Sequence, residues 1–423
     1  MRALALVGVM LAVEPVLAAS GNMSGGVSGV VGNAFFSNAP PQRMVLVEKK
    51  AGKAYLVRNR NDRPHVVRRY NRILLGENGG DKIAEGDKRT PEGVYYIQSF
   101  IPPGELGDIY GDGAFPLNYP NIVDRIEDRT GYGIWLHGID EEADDKVATK
   151  GCVAFNNASL NGLKGRIDIG TPVVITRDAE FLSPEEYQSR RERFLGRLRG
   201  FLRAWETGDF PAFRDYLHPA FRNSAGQDAE TYLAEKKHLM ETYAPRQVDA
   251  EHVRVYKENG HRVVYDFDQF YCAPNIAAYG RKRLYFASAG EGPPRLIAEE
   301  YFRKRVWPEI YQRIRSFVDG WREAWESEKL EAYMDHYARD FTHHGRDRGQ
   351  WRAYKKGVFA RREEMRVAIE NLWIRRLAAN RYVVGFDQRF SSREYQDYGV
   401  KTLVLSGCPG ALHIDAEYWR PLP

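Results

Sequence analysis

Two stretches of this chain repeat each other at domain scale, and that repetition narrows the folds open to it more than any other feature. Ala204-Trp205-Glu206 through Ala220-Phe221 aligns without a gap with Ala324-Trp325-Glu326 through Asp340-Phe341. The correspondence continues with Lys236-Lys237 and Lys355-Lys356, Val263-Val264 and Val383-Val384, and Phe267-Asp268-Gln269 and Phe386-Asp387-Gln388. Tyr279-Gly280 then matches Tyr398-Gly399, and Glu300-Tyr301 matches Glu417-Tyr418. The offset stays between 117 and 120 residues, too long for a solenoid unit and suited to a duplicated domain. Each copy runs from helical periodicity into strand-rich sequence, which argues an α+β unit. Ser183-Pro184-Glu185-Glu186 reads as the helix start of the first copy, with Ser183 as N-cap and Pro184 at the first helical position. The copies are expected at residues 183–304 and 306–423.

What precedes them is a different kind of sequence. Met44 to Glu48, Ala54 to Val57, His65 to Tyr70, Gly93 to Phe100 and Thr171 to Ile175 read as short strands separated by turn residues, so residues 42–178 form a mainly-β domain. Residues 101 to 130 are loop-rich, and an irregular stretch of that length inside a domain marks a candidate wall of a cleft. Residues 20–41, rich in Gly, Ser and Asn, read as a flexible linker. Met1-Arg2 followed by an apolar run and small residues reads as a signal peptide over 1–19, despite Glu14 within the run. An exported protein is therefore expected. No other run approaches the ~20 apolar residues of a membrane span. The 62 Lys+Arg and 57 Asp+Glu residues are interspersed, so attraction to an acidic envelope polymer is allowed while nucleic acid is not indicated. Of three cysteines, Cys152, Cys272 and Cys408, at least one stays free. Cys152 is the expected free thiol, and Cys272 and Cys408 are expected to be buried singly.

The chemistry gathers in Ile134 to Asn157, IWLHGIDEEADDKVATKGCVAFNN. His137 ends an aromatic-aliphatic run at Gly138, and Cys152 follows Gly151 where a turn enters a strand. A thiol and an imidazole at two strand ends are the parts of a Cys–His nucleophilic pair. By residue type alone, a structural Cys and a satisfied core His remain open. A papain-like arrangement has the opposite order, with the Cys ahead of the His.

The pattern His-Gly, a polar loop, then Thr-x-Gly-Cys-Val resembles the L,D-transpeptidase catalytic domain signature, carried here by His137, Gly138, Thr149, Gly151, Cys152 and Val153. Arg89-Thr90-Pro91-Glu92-Gly93 resembles the TPxG turn of that family. Lys150 stands where a second histidine is usual and Ala154 where an arginine is common. The resemblance implies Cys152 as nucleophile, His137 as base and the Gly138 carbonyl as its orienting partner. It implies oxyanion or substrate contacts at Gly151, Thr149, Lys150, Trp135 and Asn156, and no cofactor. Its substrate would be a peptidoglycan stem tetrapeptide, acylating the thiol and released to water or to an amine. The repeats resemble the nuclear-transport-factor-like fold, a curved sheet covered by helices around a cone-shaped pocket, as found beside shape-determining L,D-carboxypeptidases. That implies a glycan or other small ligand in the C-terminal domains. The paired aromatics Trp205/Trp325, Phe221/Phe341 and Tyr301/Tyr418 read as core or as a sugar platform. His343-His344 lacks a third ligand at metal spacing and reads as a solvated loop. A rival from another class is a non-catalytic wall- or glycan-binding protein built on the repeats.

Overall fold

A computed structural model describes residues 29–139, 148–258, 262–288, 292–361 and 364–422. The expected signal peptide lies outside the described residues.

Successive strand residues point to opposite faces. In Arg43–Glu48, Met44 and Leu46 point one way and Val45 and Val47 the other, and all four are buried. A strand apolar on both sides needs cover on both sides, and this requirement organises the molecule. The strand lies in a five-stranded sheet ordered Arg63–Tyr70, Lys53–Arg60, Arg43–Glu48, Pro172–Thr176, Gly93–Tyr96. The first three form an antiparallel meander, and Pro172–Thr176 runs parallel to Arg43–Glu48. On one face, Val45, Val47, Leu56 and Val173 meet Phe115, Leu136, Val153 and Phe155 of a three-stranded sheet, Ala114–Pro116, Trp135–Ile139 and Val153–Asn156. On the other, Met44, Leu46, Tyr96 and Val174 meet Tyr256, Val264, Tyr285 and Ala298 of the first repeat.

The first repeat begins as read: Ser183 and Glu186 form a reciprocal capping box, and helix Pro184–Thr207 follows. It buries Leu195, Leu198, Phe201 and Trp205, and ends where Gly208 takes φ +76°. Its sheet is ordered Leu217–Asn223, Arg295–Lys304, Ile276–Ala287, Val263–Ala273, Gln247–Lys257, with Ala34–Ser37 as sixth strand. That last strand corrects the expected linker. Phe36 pairs with Arg254, and Phe35 stacks on Tyr187 at 5.0 Å. Ala34-Phe35-Phe36 is a short apolar segment inside a Gly/Ser-rich stretch, and it buries itself by completing a sheet from far along the chain.

The second repeat has helix Val306–Glu326 over strands Arg366–Ala378, Arg381–Ser391, Gln396–Ser406 and His413–Pro421. Strand register corrects the alignment of the copies by one residue at their ends. Leu284 lies opposite Glu299 and Leu403 opposite Glu417, so Glu417 corresponds to Glu299 and Trp419 to Tyr301. A one-residue slip turns a side chain to the other face. Glu299 and Glu417 face their cones, whereas Glu300 accepts from Tyr285 on the face toward the catalytic domain.

Cys272 and Cys408, expected to be buried singly, form a disulfide between the two repeats. Spacing could not show this, because the pairing depends on how two separately folded units dock. Asn380 Nδ2 donates to the Ala273 carbonyl at 2.8 Å beside it. Arg313 of the second repeat pairs with Asp249 at 2.6 Å and with Glu251 of the first.

Candidate active site and paired pockets

Trp135–Ile139 and Val153–Asn156 are parallel neighbours, with His137 opposite Ala154. Cys152 lies two residues before Ala154, so strand alternation turns its side chain to the face shared by Ala154 and His137. His137 is 5% exposed, and its Nδ1 lies 2.7 Å from the Gly138 carbonyl oxygen. A carbonyl only accepts, so the proton of this contact sits on Nδ1. The Cys152 thiol donates to the Gly133 carbonyl at 3.3 Å. Burial pushes this thiol above its ordinary pKa, opposed by the Trp135 N–H and the charge of Lys82.

The loop carrying the cysteine is fixed from two sides. Thr149 Oγ1 donates to the Cys152 carbonyl at 2.8 Å and accepts from the Gly151 N–H at 3.0 Å. Gly151, expected as an oxyanion donor, thus has its N–H engaged within the loop. It sits at φ +132°, and a Cβ there would meet the Arg89 carbonyl oxygen at 2.9 Å. The TPxG-like turn therefore presses directly on the cysteine loop. Thr90 Oγ1 accepts from the Gly76 N–H at 2.8 Å, and Glu77 N donates to the Thr149 carbonyl at 3.0 Å. Lys150 is exposed. Asn156, expected to face substrate, instead caps helix Asn157–Lys164 by accepting from Ser159 N at 2.8 Å; a strand running straight into a helix needs that cap.

Four participants escaped the sequence reading. The Tyr110 ring stands edge-on to His137 at 5.2 Å and against Trp135 at 5.0 Å. Burial and, second, the nearby Cys152 sulfur push the Tyr110 phenol up. Asn157 Oδ1 accepts from Asp112 N at 2.9 Å and would lie 2.4 Å from a Cβ on Gly138, which ties the irregular 101 to 113 segment to the histidine strand. Lys82 is buried and paired with Asp87 at 2.7 Å. Gly133 supplies the carbonyl that holds the thiol. Only the position of Tyr110 in a long, loop-rich segment offered a signal.

Each repeat holds a second constellation inside its cone. In the first, Lys282 pairs with Glu299 at 3.0 Å and lies 4.6 Å from the Trp205 ring, with Lys236 4.9 Å from the same ring. In the second, Lys401 pairs with Glu417 at 3.0 Å and Lys355 lies 3.9 Å from Trp325. Among the described residues Trp205 Nε1, Trp325 Nε1, Gln269 Oε1 and Gln388 Oε1 find no hydrogen-bond partner, though all are buried. In the second repeat these groups line a cavity of about 190 Å³. The expected solvated loop is corrected here: His343 lines that cavity, bonded through Nδ1 to the Glu417 carbonyl at 3.0 Å and packed on Trp351. Trp325 is thus both core and pocket wall and Trp205 is core, whereas Tyr418 is 55% exposed and belongs to neither. Among the described residues no group of three or more His, Cys, Asp or Glu is arranged for a metal, and no helix is long and apolar enough to cross a membrane.

Residues 42–175 match the L,D-transpeptidase catalytic domain family. Residues 193–300 and again 313–417 match the Cds6 C-terminal NTF2-like domain, together half of the chain. No curated protein matches. Among solved structures, Bd1075 of Bdellovibrio bacteriovorus aligns with a TM-score of 0.58 at 24% identity, covering 65% of this chain and 98% of its own. The helical cell shape determining protein Pgp2 of Campylobacter jejuni aligns with a TM-score of 0.53 at 22% identity, covering 63% of this chain and 94% of its own. At such identities these two show a shared fold over about two thirds of this chain. The chain belongs to the L,D-transpeptidase catalytic domain family, an enzyme of the L,D-transpeptidase / L,D-carboxypeptidase type that carries two tandem Cds6-type NTF2-like domains.

Proposed function

We propose that the protein is exported and trims or cross-links peptidoglycan stem tetrapeptides through a thioester on Cys152. The observation that carries this reading is the 2.7 Å contact between His137 Nδ1 and the Gly138 carbonyl, which puts a proton on Nδ1 and so supports Nε2 as the base toward Cys152. His137 takes the Sγ proton as sulfur attacks the carbonyl carbon of the scissile bond. The Cys152 N–H holds the oxyanion, since the Gly151 N–H is engaged by Thr149. Collapse breaks the C–N bond, and the proton on His137 goes to the departing amine of the terminal D-residue. Water or an acceptor amine then gives its proton to His137 and attacks the thioester, restoring the thiol.

Lys150 and Ala154 alter the acceptor side, so water is assigned as the default acceptor and tripeptide as the main product. The two cones serve as pockets for an anionic wall fragment, with Trp205 and Trp325 as flat walls and buried lysines as cationic anchors. By likeness to Pgp2, a cell-shape role is assigned. Incubation of purified tetrapeptide monomers with the full chain tests the reaction. Tripeptide should appear with native protein and vanish with Cys152→Ala at unchanged fold. Full turnover by a folded Cys152→Ala variant would end the assignment, and 3–3 cross-linked dimers with little tripeptide would replace trimming by transpeptidation.

A further inference from the structure

A polar groove of about 350 Å³ opens where the catalytic domain meets the first repeat. It sits at the Arg43 end of the strand Arg43–Glu48. At the opposite end Lys49 Nζ donates to the Thr90 carbonyl at 2.7 Å, beside the cysteine loop. The length of the strand, about 17 Å at ordinary strand rise, therefore lies between Arg43 at the groove and the end that meets the Thr90 turn. Arg43, Arg58 and Arg166 of the catalytic domain and Arg281 of the repeat line it, with Asp168 as the one carboxylate.

Arg43 and Arg58 are direct partners across antiparallel strands, a placement in which like charges repel. Arg43 Nη1 donates to the Arg166 carbonyl at 3.2 Å and Arg166 Nη1 to the Gly162 carbonyl at 2.6 Å; both acceptors are neutral. Among the described residues no carboxylate lies within ion-pair distance of Arg43, Arg58 or Arg166. Arg281 is held in place by Asp266 at 2.7 Å. Elsewhere in the domain interfaces the chain neutralises its arginines: Arg129 and Arg313 each meet three carboxylates. Three guanidiniums without an ion-pair partner among the described residues, Arg43, Arg58 and Arg166, beside a fourth already held by Asp266, make a polar groove suited to a bidentate anion.

We propose that this groove binds a carboxylate of a second stem peptide on the same wall polymer while a first stem occupies Cys152. The inference rests on the reading of the substrate given above. It makes the enzyme grip polymeric wall at two points, and leaves soluble single stems dependent on the cysteine site alone. The test compares full-length native protein, R43Q/R58Q and Arg58→Lys in co-sedimentation with purified sacculi, and in turnover of sacculi and of soluble tetrapeptide monomers. The double variant should lose roughly tenfold in sacculus binding, with KM on sacculi raised and turnover of monomers unchanged. Arg58→Lys, which keeps the charge but not the fork, should lose less binding than the double variant and shows that the site tolerates substitution. Native-like binding and turnover of sacculi by R43Q/R58Q would overturn the proposal. So would a loss confined to phosphatidylglycerol vesicles, which would assign the groove to lipid phosphate. Inactivity of the native protein on monomers would instead remove the underlying enzymatic reading, a distinguishable failure.

Discussion

The Tyr96 hydroxyl, on the edge strand of the catalytic sheet, donates to Asp266 Oδ2 of the first repeat at 3.0 Å. Asp266 is fully buried, and Arg283 lies 3.4 Å over the Tyr96 ring. Burial pushes the Asp266 carboxyl up, but Arg281, Arg283 and Arg254 outweigh it and hold the group below its ordinary range. Removing the charge leaves three guanidiniums facing one another around a buried position. Asp266→Asn should cost roughly 3–5 kcal/mol in denaturant unfolding. Tyr96→Phe loses only a hydroxyl and should cost about 1 kcal/mol. Equal, small effects would show that this contact does not organise the interface.

The same interface bears on separability. A chain ending near residue 178 would expose Met44, Leu46, Tyr96 and Val174. We expect that truncation to aggregate or to melt well below the full chain in scanning calorimetry. A soluble monomer with the melting temperature of the full chain would show that the catalytic domain stands alone.

Gly151→Ala combines a left-handed backbone angle with a 2.9 Å approach to the Arg89 carbonyl. The substitution should cost roughly 1–3 kcal/mol and shift the cysteine loop, with activity on tetrapeptides reduced at least tenfold. Unaltered kcat/KM would show that the loop relaxes freely.

The resting thiol of Cys152 is raised above its ordinary pKa by burial, so little thiolate exists at neutral pH. Alkylation by iodoacetamide should be slower at pH 7 than for an ordinary cysteine and climb through pH 9 and beyond. His137→Ala should lower turnover by about 100- to 10,000-fold, because the base must remove the proton during attack. Rapid alkylation at pH 6 would point to a preformed thiolate and a different resting state.

Glu258 of the first repeat bonds Arg262, and Arg262 also meets Asp81 and Glu127 of the catalytic domain. Burial pushes Glu258 up to about 7 against the pull of Arg262, and burial likewise pushes Asp124 up to about 6. A folded-state value above the unfolded one favours the protonated folded form. The associated stability is present below the unfolded carboxylate pKa, near 4.3, and is lost as pH rises through about 7. The melting temperature should fall by a few degrees between pH 5 and 8, and Glu258→Gln should flatten that slope. A rising melting temperature over that range would reverse the sign and dismiss the effect.

Much of this architecture was legible in sequence because it is written in local chemistry. Ser183 and Glu186 announce a capped helix within four residues, and short β-branched apolar runs between turn residues announce the strands of the catalytic sheet. Gly151 announces the turn that carries Cys152 into its strand, and the duplication announces itself by offset. What tertiary structure alone decided are relationships between residues far apart in the chain. Val45 and Met44 looked equivalent, and only the docking of the first repeat gave each face its own partner. Ala34-Phe35-Phe36 became a strand because an edge formed by residues 247–257 was open to it. Cys272 found Cys408 across 136 residues. Tyr110 reached His137 because Asn157 pins the intervening loop. Such contacts depend on burial of whole surfaces rather than on neighbours in sequence, and no local pattern encodes which surface will cover another.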